Sequence, residues 1–387
     1  MLPRLLSGLI GLTLSASLHA TTFDIWSADT SVVGHNMVVY SRAEDTLLDI
    51  ARQFDLGYRD ITDANPDVDA WLPGENTAVV LPTRFILPDA PKNGIIINIA
   101  EMRLYYYPKT KQGELQQVIT HPIGIGREGW ATPLGKARIT QKVKDPTWTP
   151  PESIRKEHAE KGDPLPRVVP AGPDNPLGAY AMRLSMPGYL LHGTNKPYGV
   201  GLRVSHGCIR LFPEDIEHMF GITPSNTPVE IIYQPNKAGM RQGQLYLEAH
   251  RPHKDVDQVE GNNMTPMVKA ILNVQNQLPS DDQWPLAESV VRLQEGVVKP
   301  IEQSQVDIVE NLWFVHAGIN QKVVSKMRQA VTTLRLGDMY WPSPSGAREE
   351  TIIGPFTSHE DAQILANEIS AVAGISVWTV QLSRDAL

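Results

Sequence analysis

The chain has 387 residues, of which 41% are hydrophobic and 20% are charged, and its formal net charge is −8 at pH 7. One hydrophobic core rarely serves a chain this long, so we expect roughly two to four domains. The negative charge, with no strongly basic stretch, argues against nucleic acid as a partner. The single cysteine, Cys208, excludes an internal disulfide.

Residues 1–20 have the pattern of a signal peptide. Arg4 is their only charge, an apolar run from Leu5 to Leu14 follows, and small residues up to Ala20 offer cleavage points. The run is too short to span a bilayer, and no other segment approaches that length. We therefore expect cleavage after Ala20 and a soluble protein of the bacterial periplasm, with no transmembrane segment in its mature form. A buried N-terminal helix is the alternative.

Residues 37–82 predict a small strand–helix–helix–strand (βααβ) module. Met37–Tyr40 and Ala78–Leu81 have the composition of short strands, and apolar residues from Leu47 to Phe54 recur at helical spacing. The runs that carry the pattern are Asp45–Leu47, Asp49–Ala51, Ala64–Pro66, Leu72–Gly74 and Leu81–Pro82. They resemble a LysM domain, a family that binds the N-acetylglucosamine-containing glycan of peptidoglycan or chitin. Glu44 stands where this family usually has glycine, and a small packing domain without a ligand is the alternative.

Residues 92–234 show the short apolar and alternating patterns of β-strands. Two segments, Ile95–Ile99 and Met102–Tyr107, predict a hairpin. The other predicted strands are Val118–Ile125, Tyr180–Leu184, Tyr189–His192 and Val229–Tyr233. A short helix is expected from Pro213. The glycine-rich residues 124–129 predict a loop, and the proline-rich residues 146–176 predict a long surface loop, a kind of segment that often covers a binding site. We expect a mainly-β domain.

The remaining residues predict two further regions. Residues 250–310 are polar, with two amphipathic helices near 266–277 and 285–295, and are expected to act as a helical spacer or to pack on the preceding domain. Residues 311–382 predict the ferredoxin-like order βαββαβ. The run Gly354-Pro355-Phe356, followed by Ala362 and Leu365, resembles a SPOR domain, a family that binds peptidoglycan strands stripped of peptides. A generic α+β appendage is the alternative.

Three reactive side chains, His192, His206 and Cys208, lie within seventeen residues. A thiol attacks as its thiolate, and a histidine within hydrogen-bond reach can take its proton. Gly207 allows a turn that would separate His206 from Cys208, so we assign His192, from another strand, as the base. The backbone amides around Gly207 and Cys208 are available to bind an oxyanion. A zinc site and a purely structural role for the three residues are the alternatives.

The residues around the cysteine resemble the L,D-transpeptidase catalytic domain of the YkuD family. The matching runs are Ile95–Tyr107, Pro170–Gly178, His192–Thr194 and Ser205–Arg210. Together with the LysM-like module they resemble the periplasmic ErfK/YbiS-like branch of that family. The fold expected is therefore multidomain α+β, a mainly-β YkuD-like domain flanked by the βααβ module and the βαββαβ module.

The resemblance implies a role for each residue of the motif. Cys208 attacks the diaminopimelate carbonyl of a peptidoglycan tetrapeptide stem and expels D-alanine, and His192 is the general base, oriented by the backbone carbonyl of Gly193. His206, Arg210 and Ser205 bind the substrate, with His206 and Arg210 shaping the oxyanion and substrate pocket, and Gly207 offers a backbone oxyanion donor. A role in orienting its neighbours is the alternative for Ser205. No metal or organic cofactor is required. The acyl group passes to an amine of a second diaminopimelate or of an outer-membrane lipoprotein lysine.

Two other functions remain open from the sequence. A thiol hydrolase would use the same residues with water as acceptor, trimming stems or detaching lipoprotein from peptidoglycan. A non-catalytic peptidoglycan-binding protein would not depend on the thiol of Cys208.

Overall fold

A computed structural model describes residues 21–25, 27, 30–111, 114–253, 255, 263–301, 311–318, 320–333, 340–342, 351–356 and 358–383. The predicted signal peptide, residues 1–20, lies outside these residues, as do parts of the predicted spacer, residues 254, 256–262 and 302–310. Within the described ranges, no helix is both long and apolar enough to cross a membrane.

The helices and strands are named in chain order. The strands are β1 (Thr21–Ile25), β2 (Val32–Gly34), β3 (Met37–Tyr40), β4 (Ala78–Leu81), β5 (Arg84–Ile86), β6 (Gly94–Asn98), β7 (Arg103–Tyr107), β8 (Gln116–Pro122), β9 (Ile125–Gly126), β10 (Gly135–Lys144), β11 (Tyr180–Leu184), β12 (Leu190–His192), β13 (Arg203–Ser205), β14 (Ile209–Arg210), β15 (Pro228–Ile232), β16 (Asn236–Arg241), β17 (Gln244–Ala249), β18 (Lys299–Pro300), β19 (Asn311–His316), β20 (Tyr340–Pro342), β21 (Thr351–Phe356) and β22 (Trp378–Ser383). The helices are α1 (Leu47–Gln53), α2 (Tyr58–Ala64), α3 (Glu152–Glu160), α4 (Pro213–Ile222), α5 (Thr265–Gln275), α6 (Trp284–Leu293), α7 (Gln321–Thr333) and α8 (His359–Ala373).

A nine-stranded sheet in the order β1-β8-β7-β6-β15-β10-β11-β12-β14 forms the centre of the molecule. Successive side chains of a strand point to opposite faces, and here both faces are buried. Ile95 and Ile97 pack in the same core cluster as Ile216 and Met219 of α4. Ile96, between them, packs in a second cluster with residues of α1 and α2. The sheet is therefore covered on one face by its own helix and on the other by the βααβ module.

The βααβ module at residues 37–82 consists of β3, α1, α2 and β4. Helix α1 begins with a capping box, in which the Thr46 side chain accepts from the N–H of Asp49 and the Asp49 carboxylate accepts from the N–H of Thr46. Helix α2 meets the central domain at a close backbone contact. A Cβ added to Gly57 would lie 2.7 Å from Cα of Gly201, so neither position has room for a side chain.

The C-terminal module is joined to the βααβ module by one continuous sheet, which the sequence did not predict. Strands β22, β19 and β21 continue into β3 and β4, with Phe356 paired with Met37. Val38, Leu312 and Phe314 form one buried cluster across this junction. The chain order β19-α7-β20-β21-α8-β22 is βαββαβ. The two flanking modules are therefore packed against each other, although they lie far apart in sequence.

Two expectations about the connecting segments need correction. The proline-rich segment 146–176 is not only a loop, because it contains helix α3. Helices α5 and α6 do not form a spacer; they pack on the unpredicted hairpin of β16 and β17, with Met267, Ile271 and Val290 buried among Leu245 and Leu247. The apolar face of an amphipathic helix needs a surface to pack on, which an extended spacer would not provide. Packing on the hairpin therefore explains the amphipathic pattern of both helices.

Candidate active site

Cys208 lies in a tight turn between β13 and β14. Gly207 has a φ of +103°, and a Cβ there would lie 2.9 Å from the Tyr189 ring, so this position requires glycine. The Ser205 hydroxyl accepts from the N–H of Gly207 at 3.1 Å and donates to the carbonyl oxygen of Cys208 at 2.6 Å. Ser205 is buried, and among the described residues its hydroxyl bonds only within the turn. These two bonds hold the turn in shape, and a contact of Ser205 with substrate stays a prediction.

Hydrogen bonds from the preceding glycine-rich segment fix the same turn. The Thr132 hydroxyl donates to the carbonyl oxygen of Gly207 at 2.9 Å and accepts from the N–H of Gly126 at 3.0 Å. The N–H of Arg127 donates to the carbonyl oxygen of Ser205 at 3.0 Å. Residues 124–129, which the sequence predicted as a loop, thus include strand β9 paired with β13. Sequence reasoning missed Thr132, in the run Trp130-Ala131-Thr132-Pro133, as a residue that holds the turn.

His192 ends strand β12, which runs parallel to β14 and is paired with it, His192 opposite Arg210. Its Nδ1 lies 2.6 Å from the carbonyl oxygen of Gly193. A carbonyl oxygen can only accept, so Nδ1 carries the proton and Nε2 has a free lone pair. Burial and the nearby charge of Arg210 lower the pKa of His192 to about 4, against the hydrogen bond to Gly193. At neutral pH the imidazole is uncharged and able to accept a proton.

The Cys208 thiol is partly exposed. Burial raises its pKa, while the backbone N–H of Leu190 and the charge of Arg210 act in the opposite direction. Sγ donates to the carbonyl oxygen of Gly188 at 3.6 Å, and no bond from it to His192 occurs among the described residues. The resting site therefore holds a neutral thiol and a neutral imidazole, at the ends of two neighbouring strands.

The backbone N–H groups beside the thiol differ in availability. That of Gly207 is already donated to Ser205, which weighs against the expectation that Gly207 is the oxyanion donor. The N–H of Cys208 has no hydrogen-bond partner within the part of the chain that the structure describes. Because an oxyanion hole needs a donor that is not already satisfied, the amide of Cys208 is the better candidate.

Arg210 follows Cys208 by two positions and is partly buried. Nε of its guanidinium group lacks a hydrogen-bond partner, and no carboxylate of the described ranges lies within ion-pair distance of it. One Nη atom lies 2.8 Å from the position that a Cβ of Gly199 would occupy, so the side chain runs along residues 197–200. An unpaired guanidinium beside a nucleophile can bind a substrate carboxylate through two hydrogen bonds.

His206 points away from the thiol and toward helix α3. Its Nε2 lies 3.1 Å from Oε2 of Glu157, a carboxylate that also accepts from Arg127 at 2.5 Å. The Trp130 ring packs edge-on against the imidazole, with centroids 4.9 Å apart. His206 therefore joins the turn to α3, a contact that the resemblance did not imply. Nothing in the sequence connects Glu157 with His206, 49 positions away, so pattern reasoning could not find this contact.

Two groups outside this site have the spacing that a metal ion needs: Asp55, His121 and Asp215, and Glu101, Glu248 and His250. In the second group, Lys237 lies 2.6 Å from Glu101 and 3.1 Å from Glu248, and supplies the positive charge. In the first, the imidazole of His121 lies between the two carboxylates. Neither group includes a residue of the Cys208 site.

Comparison with known proteins identifies a family and similar solved structures. Residues 92–231 match the YkuD family, the L,D-transpeptidase catalytic domain. Among solved structures, the chain is similar to the NMR structure of the catalytic domain of the Enterococcus faecium L,D-transpeptidase (TM-score 0.27, 23% identity, 38% of this chain and 100% of that one). It is also similar to L,D-transpeptidase 3 of Mycobacterium tuberculosis (TM-score 0.27, 18% identity, 52% and 92%).

Sequence relatives cover more of the chain. It is 41% identical over 278 residues to the probable L,D-transpeptidase YbiS of Escherichia coli K12, which covers 70% of this chain and 89% of the relative. The probable L,D-transpeptidase ErfK/SrfK of the same strain is 39% identical over 266 residues, 66% of this chain and 84% of the relative. The chain belongs to the L,D-transpeptidase family, in the branch that contains YbiS and ErfK.

Proposed function

We propose that this chain is a periplasmic L,D-transpeptidase whose nucleophile is Cys208 and whose general base is His192. The observation that carries the proposal is the neutral imidazole of His192, whose Nδ1 donates its proton to the carbonyl oxygen of Gly193. His192 ends strand β12, which is paired with β14, the strand that follows Cys208. Families of this kind act on peptidoglycan. The proposed donor is a tetrapeptide stem, cleaved between diaminopimelate and the terminal D-alanine.

The proposed reaction begins with proton transfer from Sγ of Cys208 to Nε2 of His192 as the sulfur attacks the diaminopimelate carbonyl carbon. The carbonyl oxygen becomes an oxyanion, stabilised by the N–H of Cys208. The imidazolium then protonates the departing amine, D-alanine leaves, and a thioester remains. Burial raises the pKa of the Cys208 thiol, so the thiol is protonated before the reaction. Proton transfer that is concerted with attack suits such a thiol, because it does not require a thiolate to form beforehand.

In the second half-reaction, His192 takes a proton from an incoming amine, which attacks the thioester and releases the thiol. The proposed acceptor is an amine, either that of a second diaminopimelate or that of an outer-membrane lipoprotein lysine. Arg210 is proposed to bind a carboxylate of the stem, supported by its unpaired Nε beside the thiol. A substrate carboxylate there would replace the partner that the guanidinium lacks within the described residues.

The flanking modules are proposed to bind glycan and so to keep the enzyme on its substrate. Two weak sites on one chain raise the effective concentration of the second. The packing of α1 and α2 on the central sheet supports this, since it holds the βααβ module in a fixed position relative to Cys208.

Replacing Cys208 with alanine tests the chemistry. We expect Cys208→Ala to release no D-alanine from purified tetrapeptide muropeptides, while Lys136→Ala, on an exposed side chain of β10, releases it at the wild-type rate. Mass spectrometry of the products identifies the acceptor, because transfer joins two molecules and hydrolysis shortens one. Undiminished D-alanine release by a folded Cys208→Ala protein would overturn the proposal.

A further inference from the structure

Strand β1 begins at the residue that would follow the predicted signal cleavage site. Residues 21–25 pair in register with β8 at the edge of the central sheet, with Thr21 opposite Thr120 and Ile25 opposite Gln116. Thr22 and Ile25 are buried. Residues 21–25 are therefore part of the folded domain, and the first residue after the predicted cleavage site already belongs to a strand.

The backbone nitrogen of Thr21 lies 3.3 Å from Oδ2 of Asp55. In the precursor this nitrogen is a neutral amide. After cleavage between Ala20 and Thr21 it is a primary amine, which carries a positive charge at neutral pH. Processing would therefore convert a weak amide contact into an ion pair, with no movement of either residue.

The surroundings of Asp55 lack one positive charge. Asp55 lies 3.3 Å and Asp215 lies 3.2 Å from the same nitrogen of His121, Nδ1. Burial alone would lower the pKa of His121, but these carboxylates raise it to about 10, so the imidazole is protonated at neutral pH. When both carboxylates are ionised, one imidazolium leaves one negative charge uncompensated. Burial and the like charge of Asp55 raise the pKa of Asp215 to about 7, which shows the cost of this imbalance.

The neighbouring charges do not remove the imbalance. Nη2 of Arg103, from β7, donates to the backbone oxygen of Asp55 at 3.0 Å, and its guanidinium is paired with Asp60 of α2 at 2.8 Å. Glu214, beside Asp215 on α4, is paired with Arg52 of α1 at 2.8 Å. Oδ2 of Asp215 is buried and has no partner in the described part of the chain. One more positive charge would therefore be stabilised here, and the nitrogen of Thr21 is already in contact with the Asp55 carboxylate.

We propose that the α-ammonium group of Thr21, created by removal of residues 1–20, is the missing charge partner of Asp55 in the Asp55–His121–Asp215 cluster. The site joins β1, the turn after α1, β8 and α4, so the processed terminus would fasten the βααβ module to the central domain. This proposal rests on the proposed export and not on the proposed chemistry of Cys208. Its failure and that of the transpeptidase assignment are thus distinguishable.

The mature protein, purified after export of the full-length chain, provides the test. N-terminal sequencing should give Thr21 as the first residue. After reductive methylation with ¹³C-formaldehyde, the α-amine NMR signal should titrate about one pH unit higher in the wild type than in Asp55→Asn, because a nearby carboxylate favours the charged amine. Asp24→Asn is the matched control: Asp24 lies on the same strand but accepts from Gln117 instead.

A second comparison covers the case in which Asp55→Asn does not fold. A protein released from a fusion so that it starts at Ala20 keeps Asp55 but moves the charge one residue away. We expect its amine to titrate about one pH unit below that of the Thr21 form, and its Tm to be lower. The stability gained from the ion pair is present below the amine's unfolded-state pKa and is lost as the pH rises through the folded value. A first residue other than Thr21, or amines that titrate alike in these proteins, would overturn the proposal.

Discussion

Nε2 of His206 donates to the carboxylate of Glu157 across 3.1 Å, and this contact joins helix α3 to the turn that carries Cys208. The carboxylate also accepts from Lys161 at 2.6 Å and from Arg127 at 2.5 Å. The Lys161 bond and those from His206 and Arg127 lower the pKa of Glu157 to about 2, so it stays ionised through the working pH range. Glu157 is thus a positioning residue, which acts on the turn through His206.

The first prediction concerns this contact. Glu157→Gln keeps the shape of the side chain but removes its charge, so we expect kcat for D-alanine release to fall on the order of tenfold as the turn loses its fixed position. Glu160→Gln, on the same helix with a carboxylate 4.0 Å from Lys156, should leave kcat unchanged. The Tm of both variants should stay close to that of the wild type. Equal kcat values for the two variants would mean that α3 does not position the turn.

The sequence predicted local elements near the site better than the contacts between distant segments. The apolar alternation in residues 95–107 is a local pattern, and it predicts the hairpin of β6 and β7. The short runs that contain His192 and Cys208 are local patterns as well. The Glu157–His206 contact, the pairing of Phe356 with Met37 and the hairpin of β16 and β17 depend on where distant segments meet. Proline density in residues 146–176 also concealed helix α3, because proline is tolerated before a helix begins.

A second prediction concerns the acid side of the pH profile. As the proposed base, His192 would act only when neutral, and its pKa is lowered to about 4. The rate of D-alanine release, measured as kcat/KM, should therefore hold down to a pH near 5 and halve near 4. Arg210→Gln removes one of the two causes of the lowered pKa, so the acid limb of this variant should be centred at a higher pH. An acid limb centred near pH 6.5, the ordinary value for histidine, would show that the base is not an imidazole with a lowered pKa.

The same pair of groups predicts how the thiol reacts without substrate. Because burial raises the pKa of Cys208 and His192 is neutral, no thiolate–imidazolium ion pair is stored in the resting enzyme. The rate of iodoacetamide alkylation should keep rising above about pH 8.5, the ordinary value for a cysteine. A rate that is already constant between pH 6 and pH 8 would instead indicate a stored thiolate.

A fourth prediction concerns the contact between the βααβ module and the central domain. The backbone of Gly57 has a φ of −87°, which alanine adopts without strain, but the added Cβ would lie 2.7 Å from Cα of Gly201. We expect Gly57→Ala to destabilise the protein by about 1–3 kcal/mol, since the two backbones must separate. Gly221→Ala in α4 places its Cβ in open space and should be neutral or slightly stabilising. Urea unfolding of the two variants measures the difference.

The last prediction concerns the C-terminal module, which is held by buried charges as well as by the shared sheet. Arg241 of β16 donates to Glu368 of α8, and Arg84 of β5 lies in contact with Asp361 at the start of the same helix. His35 lies between the two pairs. Burial and the charge of Arg241 lower its pKa to about 4, so it is neutral at working pH. Two arginines from the body of the molecule thus face two carboxylates of α8.

Replacing Glu368 with alanine should loosen this junction, because Arg241 is left buried without its carboxylate. Breaking a fully buried pair costs roughly 3–5 kcal/mol; Glu368 is 22% exposed, so we expect a loss of about 2 kcal/mol. Asn367→Ala alters the exposed neighbour on the same helix and should have little effect. Limited proteolysis separates the outcomes: Glu368→Ala should release a C-terminal fragment faster than the wild type and Asn367→Ala. Equal cleavage rates in all three proteins would show that the shared sheet alone holds the module in place.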